Sequence, residues 1–119
     1  MLLVYSRETD ELSSEDLRQV RAGHIAVMQE AAAAGVLRAA EPLAPTATAT
    51  TVRINDGQSM ITDGPFAETR EQLAGYYIVD CEDLDEAISW AERIPTGCKG
   101  RNGCIEIRPL AGTEVSSNG

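Results

Sequence analysis

The chain is poor in the residues that build metal centres and disulfide frameworks: it has one histidine and three cysteines in 119 residues. Cys81, Cys98 and Cys104 form no CxxC pair, and His24 alone cannot complete a zinc set, so no metal or other cofactor is expected. So few scattered thiols fit a reducing, cytoplasmic setting. No apolar run approaches the ~20 residues of a membrane span. Met1–Tyr5 is apolar but lacks the basic start and the length of a signal peptide. Positive charge is also scarce. The net charge is −9, with −3 in residues 1–50 and −6 in residues 51–119, which argues against nucleic acid or anionic membranes as partners. No GxGxxG or GxxxxGK pattern offers a phosphate cradle. What is present is ordinary for one globular domain, with 43% hydrophobic residues and a core small enough to gain from oligomerisation. Nine arginines to one lysine, with abundant alanine, fit a GC-rich bacterial coding sequence.

Leu2 and Val4 alternate with Leu3 and Tyr5, so the opening strand is apolar on both faces and must be covered on both. Ser13 or Ser14 caps a helix in which Leu17, Val20, His24, Met28 and Ala31 share a stripe, and Gly35 stops it. Residues 36–43 and 46–54 read as strands. Asn55-Asp56-Gly57 then turns the chain into a returning strand that ends at Asp63. Pro65 and residues 66–74 suggest a helix of at most two turns, with Gly57, Gly64 and Gly75 serving turns. Residues 76–81 make a strand, and Asp83-Leu84-Asp85-Glu86 opens a helix stopped by Pro95. A glycine-bearing loop over 96–103 leads to an alternating strand over 104–110, with Ile105 and Ile107 against Glu106 and Arg108. The order predicts an α+β domain over 1–110: a ferredoxin-like βαββαβ with an antiparallel sheet and an inserted β-hairpin. The tail over 111–119 is expected to fray. Two helices cover one sheet face, and a second copy of the chain is the economical cover for the other, so a homodimer is expected.

His24 admits two readings. It is either a core imidazole bonded to a backbone carbonyl or a general base aimed at the sheet near neutral pH. Asp63 is its candidate partner, although Asp before Gly-Pro also starts turns and caps helices. Arg108 either pairs with Glu106 or binds a substrate carboxylate, and Arg53 is a weaker candidate for the second role. Tyr76 and Tyr77 present one ring to each face of their strand, and Tyr76 is the one assigned to substrate binding. No serine or cysteine stands out as a nucleophile.

The stretch Asp63-Gly64-Pro65-Phe66-Ala67-Glu68-Thr69-Arg70-Glu71, followed by Gly75-Tyr76-Tyr77, resembles the signature of DGPF-domain proteins of the YCII-related family. His24, Glu41-Pro42-Leu43, Thr50-Thr51-Val52-Arg53, Asp83-Leu84-Asp85-Glu86-Ala87 and Glu106-Ile107-Arg108-Pro109 extend the resemblance over nearly the whole chain. It implies a dimeric α/β barrel-like assembly in which two sheets face one another. It also implies that His24 and Asp63 are the catalytic pair of a small-molecule enzyme working by metal-free general acid/base chemistry. The alternative it implies is a non-catalytic ligand-binding or regulatory accessory module associated with a sigma factor system.

Overall fold

The computed structural model describes residues 1–8, 13–96 and 103–112. Strand β1 (Leu2–Ser6) leads to helix α1 (Ser14–Ala33), then strands β2 (Leu37–Pro42), β3 (Thr50–Asn55), β4 (Gln58–Asp63) and β5 (Gln72–Val79), helix α2 (Leu84–Ala91) and strand β6 (Gly103–Ile107). Four strands form one antiparallel sheet in the order β2-β5-β1-β6, while β3 and β4 form a separate two-stranded ribbon. With the ribbon set aside, this is the βαββαβ ferredoxin-like fold, in which the first strand lies between the third and the fourth strands of the sheet.

Local chemistry places the helices. Ser13 accepts the Asp16 N–H and Asp16 accepts the Ser13 N–H, a reciprocal cap that fixes the start of α1. The helix ends where Gly35 and Val36 return N–H bonds to the Ala32 and Ala31 carbonyls. Asp83 caps α2 by accepting from the Glu86 N–H, and Glu86 reaches one residue further back, to the Glu82 N–H. Helix α1 lies along β2, and α2 along β6. The core between helices and sheet is built on Leu2, Val4, Val27, Tyr77 and Ile94. Leu2 pairs with Tyr77 on one side and Ile107 on the other, so these side chains share the helix face. Leu3, Tyr5, Tyr76 and Glu106 alternate to the other face, which no helix among the described residues covers.

Four expectations are corrected. No helix forms over 66–71. There Thr69 donates its hydroxyl to the Glu71 carbonyl, the Gln72 side chain donates to the Thr69 carbonyl, and Gln72 itself pairs with Ser6 of β1, so side-chain bonds and the sheet capture the segment. Strand β5 therefore starts at Gln72, and Gly75 sits inside it rather than in a turn. A Cβ on Gly75 would lie 2.9 Å from the Glu41 carbonyl oxygen and 3.3 Å from Pro42 Cα, so this glycine lets β2 approach. Residues Thr46–Thr48 form a 3-10 turn ahead of β3, held by the Thr48 hydroxyl on the Pro45 carbonyl. The inner stripe of α1 is centred on Val27 and Ala31, while Leu17 at its start is 50% exposed. Most of the 96–103 loop, with Cys98, and the tail from residue 113 lie outside the described residues.

The ribbon is an arm. Its turn matches the sequence reading: Asp56 and Gly57 both hold positive φ, 52° and 79°, the geometry of a tight two-residue hairpin. Val52 faces Ile61, and Ile54 faces Ser59, giving one ribbon face an apolar character. Every residue from Val52 to Asp63 is exposed. Only the root is tied down. Gly64 N–H bonds to the Ala49 carbonyl, the Thr51 hydroxyl to the Gly64 carbonyl, and the Thr46 N–H and hydroxyl to the Glu8 carboxylate.

Candidate functional site

A cavity of about 340 Å³ opens between the first half of α1 and the sheet, at the end where β1 finishes in Ser6 and Arg7. Its floor is Val4, Ala40, Pro42, Gly75 and Tyr77; its α1 wall runs from Leu17 to Met28, and Pro95 closes one side. Helix α1 tracks β2 and α2 tracks β6, and the cavity lies on the α1 side with Pro95 at its edge. The floor is also where β1 and β5 fall out of register. Val4 pairs with Gly75 but Tyr5 pairs with Leu73, leaving Ala74 as an extra, bulged residue beside the cavity.

The polar centre of this cavity is His24. Its Nδ1 lies 2.6 Å from the Tyr77 hydroxyl, and the two rings are 6.0 Å apart at 22°. Burial pushes the His24 pKa down from 6.5 and pushes the Tyr77 phenol up to about 12. At neutral pH the pair is therefore a neutral imidazole beside a neutral phenol. Two proton placements satisfy the contact. Either Tyr77 donates to Nδ1 and Nε2 carries the imidazole proton, or Nδ1–H donates to the phenol oxygen and Nε2 is a bare base. Nε2 has no protein hydrogen-bond partner among the described residues. In the second placement the site holds a general base, with Tyr77 orienting it much as a carboxylate would in a dyad.

The residues singled out from the sequence are spread over the molecule. His24 and Tyr76 border this cavity. Asp63 is the last residue of β4, exposed and opposite Thr50, and is not among the cavity's lining residues. Arg53 is exposed on the arm opposite Met60. Arg108 sits at the other end of the sheet, where its backbone pairs with Met1 and its guanidinium lies 3.8 Å from the Glu106 carboxylate. A second, more open hollow of about 520 Å³ lies at that end, lined by Arg38, Asp80, Cys81, Asp83 and Arg108 among others. Burial and the carboxylates of Glu86 and Asp80 raise the Cys81 thiol pKa, and burial and Glu71 raise that of Cys104, so neither thiol is poised as a nucleophile.

Tyr77 is the site residue that sequence reasoning passed over in favour of Tyr76. Residues Tyr76–Val79 are apolar on both parities, so the strand by itself gives no inner face. Pairing with Leu2 settles it, leaving Tyr77 3% exposed.

The fold and the cavity define a ferredoxin-like α+β protein with an imidazole–phenol pair in an apolar cleft. Residues 1–112 match the YCII-related domain, and the chain belongs to that family. An uncharacterised protein of Rhizobium meliloti (strain 1021) is 40% identical over 107 residues, covering 90% of this chain and 80% of that protein. Among the described residues no helix is long and apolar enough to cross a membrane.

Proposed function

We propose that this YCII-related protein is a small-molecule enzyme in which His24 carries out metal-free general acid/base chemistry inside the α1–sheet cavity. The observation that carries the reading is the 2.6 Å contact between Nδ1 of a neutral, half-buried imidazole and the Tyr77 hydroxyl, with Nε2 left without a protein partner among the described residues. Tyr77 orients the ring, while the Tyr76 ring alternates to the helix-free face and meets a substrate only from that side. Asp63, Arg53 and Arg108 enter as groups that reach a substrate only through an assembly. The arm that carries Asp63 has an apolar face, with Val52, Ile54 and Ile61 all exposed, and the helix-free sheet face shows Leu3, Tyr5 and Tyr76. A homodimer that covers both is part of this proposal. In it, movement of the arm or the partner copy would bring a carboxylate to an imidazole.

The test uses His24 being the only histidine, so its imidazole NMR signals need no assignment. A thermal-shift screen of small molecules selects ligands, since binding to the native state raises the melting temperature by mass action. Each hit is then incubated in D2O and inspected for deuterium uptake. Hits should perturb the His24 signals, and His24→Ala should abolish uptake while the protein still melts cooperatively. Hits that leave the imidazole signals unmoved would overturn the proposal. A second reading, a binding or regulatory module without turnover, draws support from the absence of Asp63 from the cavity of its own chain. Ligand binding with no deuterium uptake in any hit would favour it. Light scattering should give about twice the 12.8 kDa chain mass, and Ile54→Ser with Ile61→Ser should return it to one chain.

A further inference from the structure

Two arginines border the His24 cavity. The protein carries −9 overall, and four arginines are matched to carboxylates: Arg18 to Glu15, Arg38 to Asp80, Arg93 to Glu30 and Arg108 to Glu106. Arg7 and Arg21, which border the cavity from the end of β1 and from α1, have no carboxylate within salt-bridge distance among the described residues. Among the described residues Glu41 is the only acid on the lining, and strand alternation turns its side chain away. Ala40 pairs with Tyr77 on the helix face, so Glu41, paired with Tyr76, points to the opposite face and meets Gly75 through its backbone carbonyl. Two exposed arginines therefore border a cleft whose interior is mostly apolar and whose imidazole is neutral.

We propose that this cavity takes a small monocarboxylate with an apolar tail, the carboxylate held at the mouth by Arg21 and Arg7 and the tail laid against Val4, Met28 and Pro95. The inference rests on the proposal that the His24 cavity is the working site, and it adds the chemical class of the ligand. Guanidinium forks match carboxylates in shape and charge, and they do so best beside low-dielectric walls. A volume of about 340 Å³, at roughly 30 Å³ per water-sized group, holds about ten non-hydrogen atoms. That is the size of an aryl or short alkyl acid. Diphosphates and sugars fit poorly, because apart from Ser6 and the His24–Tyr77 pair the interior offers few groups to replace their lost water.

Phenylacetate and its neutral isostere phenylacetamide are the probes. Titration calorimetry of the whole protein, with the His24 imidazole signals recorded alongside, should show phenylacetate binding about tenfold tighter than the amide. Arg21→Gln and Arg7→Gln should each shrink that preference, and added salt should shrink it too. Both guanidiniums are exposed, so the variants should melt as the parent does. Equal affinity for acid and amide, or a preference unchanged in both variants, would overturn the carboxylate inference. The cavity reading would survive that result, because both probes would still bind and move the imidazole signals. Binding of neither probe would overturn the inference, while the reading of His24 as a base would still be judged by the ligand screen.

Discussion

Strands β1 and β4 carry similar apolar side chains to opposite ends. Leu2 and Val4 are 1% and 4% exposed, whereas Met60 and Ile61 are 52% and 71% exposed. Side-chain hydrophobicity is therefore not what separates the two regions; the layer opposite each one is. β1 is sandwiched between two strands and lies under two helices, while the β3–β4 ribbon has water on both faces and bonds only at its root. A two-stranded ribbon alone is marginal in water. The body is stabilised by its own chain, and the arm gains stability only from what it meets.

That contrast is open to measurement. The largest effect should come from Leu2→Ala, which empties a fully enclosed site and should cost about 3–4 kcal/mol in urea unfolding, whereas Ile61→Ala in dilute monomer should cost under about 0.5 kcal/mol. If Ile61→Ala costs as much as Leu2→Ala at micromolar concentration, the arm is buried in an assembly. Next comes Gly75→Ala, which drives a methyl group into the Glu41 carbonyl and should cost about 1–3 kcal/mol. A neutral result there would mean that β2 is free to back away and that the cavity floor is soft.

The sequence showed the body better than the site. The ferredoxin-like order, both helix caps, the Asp56-Gly57 turn and the two-sided strand were all readable, because each rests on local chemistry: a capping side chain, a glycine at positive φ, or alternation. The beginning of β5 was not readable. Pro65 and the acids after it fit a helix start, and the pairing of Gln72 with Ser6, with the Thr69 and Gln72 side-chain bonds, overrides that preference. His24 was legible as a lone imidazole on an apolar stripe, but its Tyr77 partner lies 53 positions away and depends on register. Asp63 stood out through the family resemblance, while its own turn chemistry carries no information about distance from α1.

A smaller effect should follow pH. The folded pKa of His24 is depressed, so the unfolded chain takes up the proton first. The stabilisation is complete above about pH 6.5 and is lost as pH falls through the lowered folded value. Urea midpoints should therefore decline on acidification more steeply than in His24→Gln. Tyr77 has the opposite sign, with its contribution complete below its ordinary value of 10.0 and lost as pH rises toward about 12. Parallel acid limbs for the parent and His24→Gln would show that the imidazole is as well hydrated in the fold as outside it. The smallest effect is at the arm's tip. Asp56→Ala keeps a φ of 52° without an Asp side chain to ease it and should cost about 1 kcal/mol or less. A larger loss would mean that the tip is packed.

The position of β1 in the sheet also has a consequence for synthesis. Leu2 finds its two neighbours only at Tyr77 and Ile107, so this strand waits for about a hundred further residues to be made before both of its edges are filled. At ordinary elongation rates that wait is about 5 to 20 seconds. Throughout it, a short segment apolar on both sides is held open to other nascent chains. Yield in cells should therefore depend on chaperone capacity and growth temperature more than native stability would suggest.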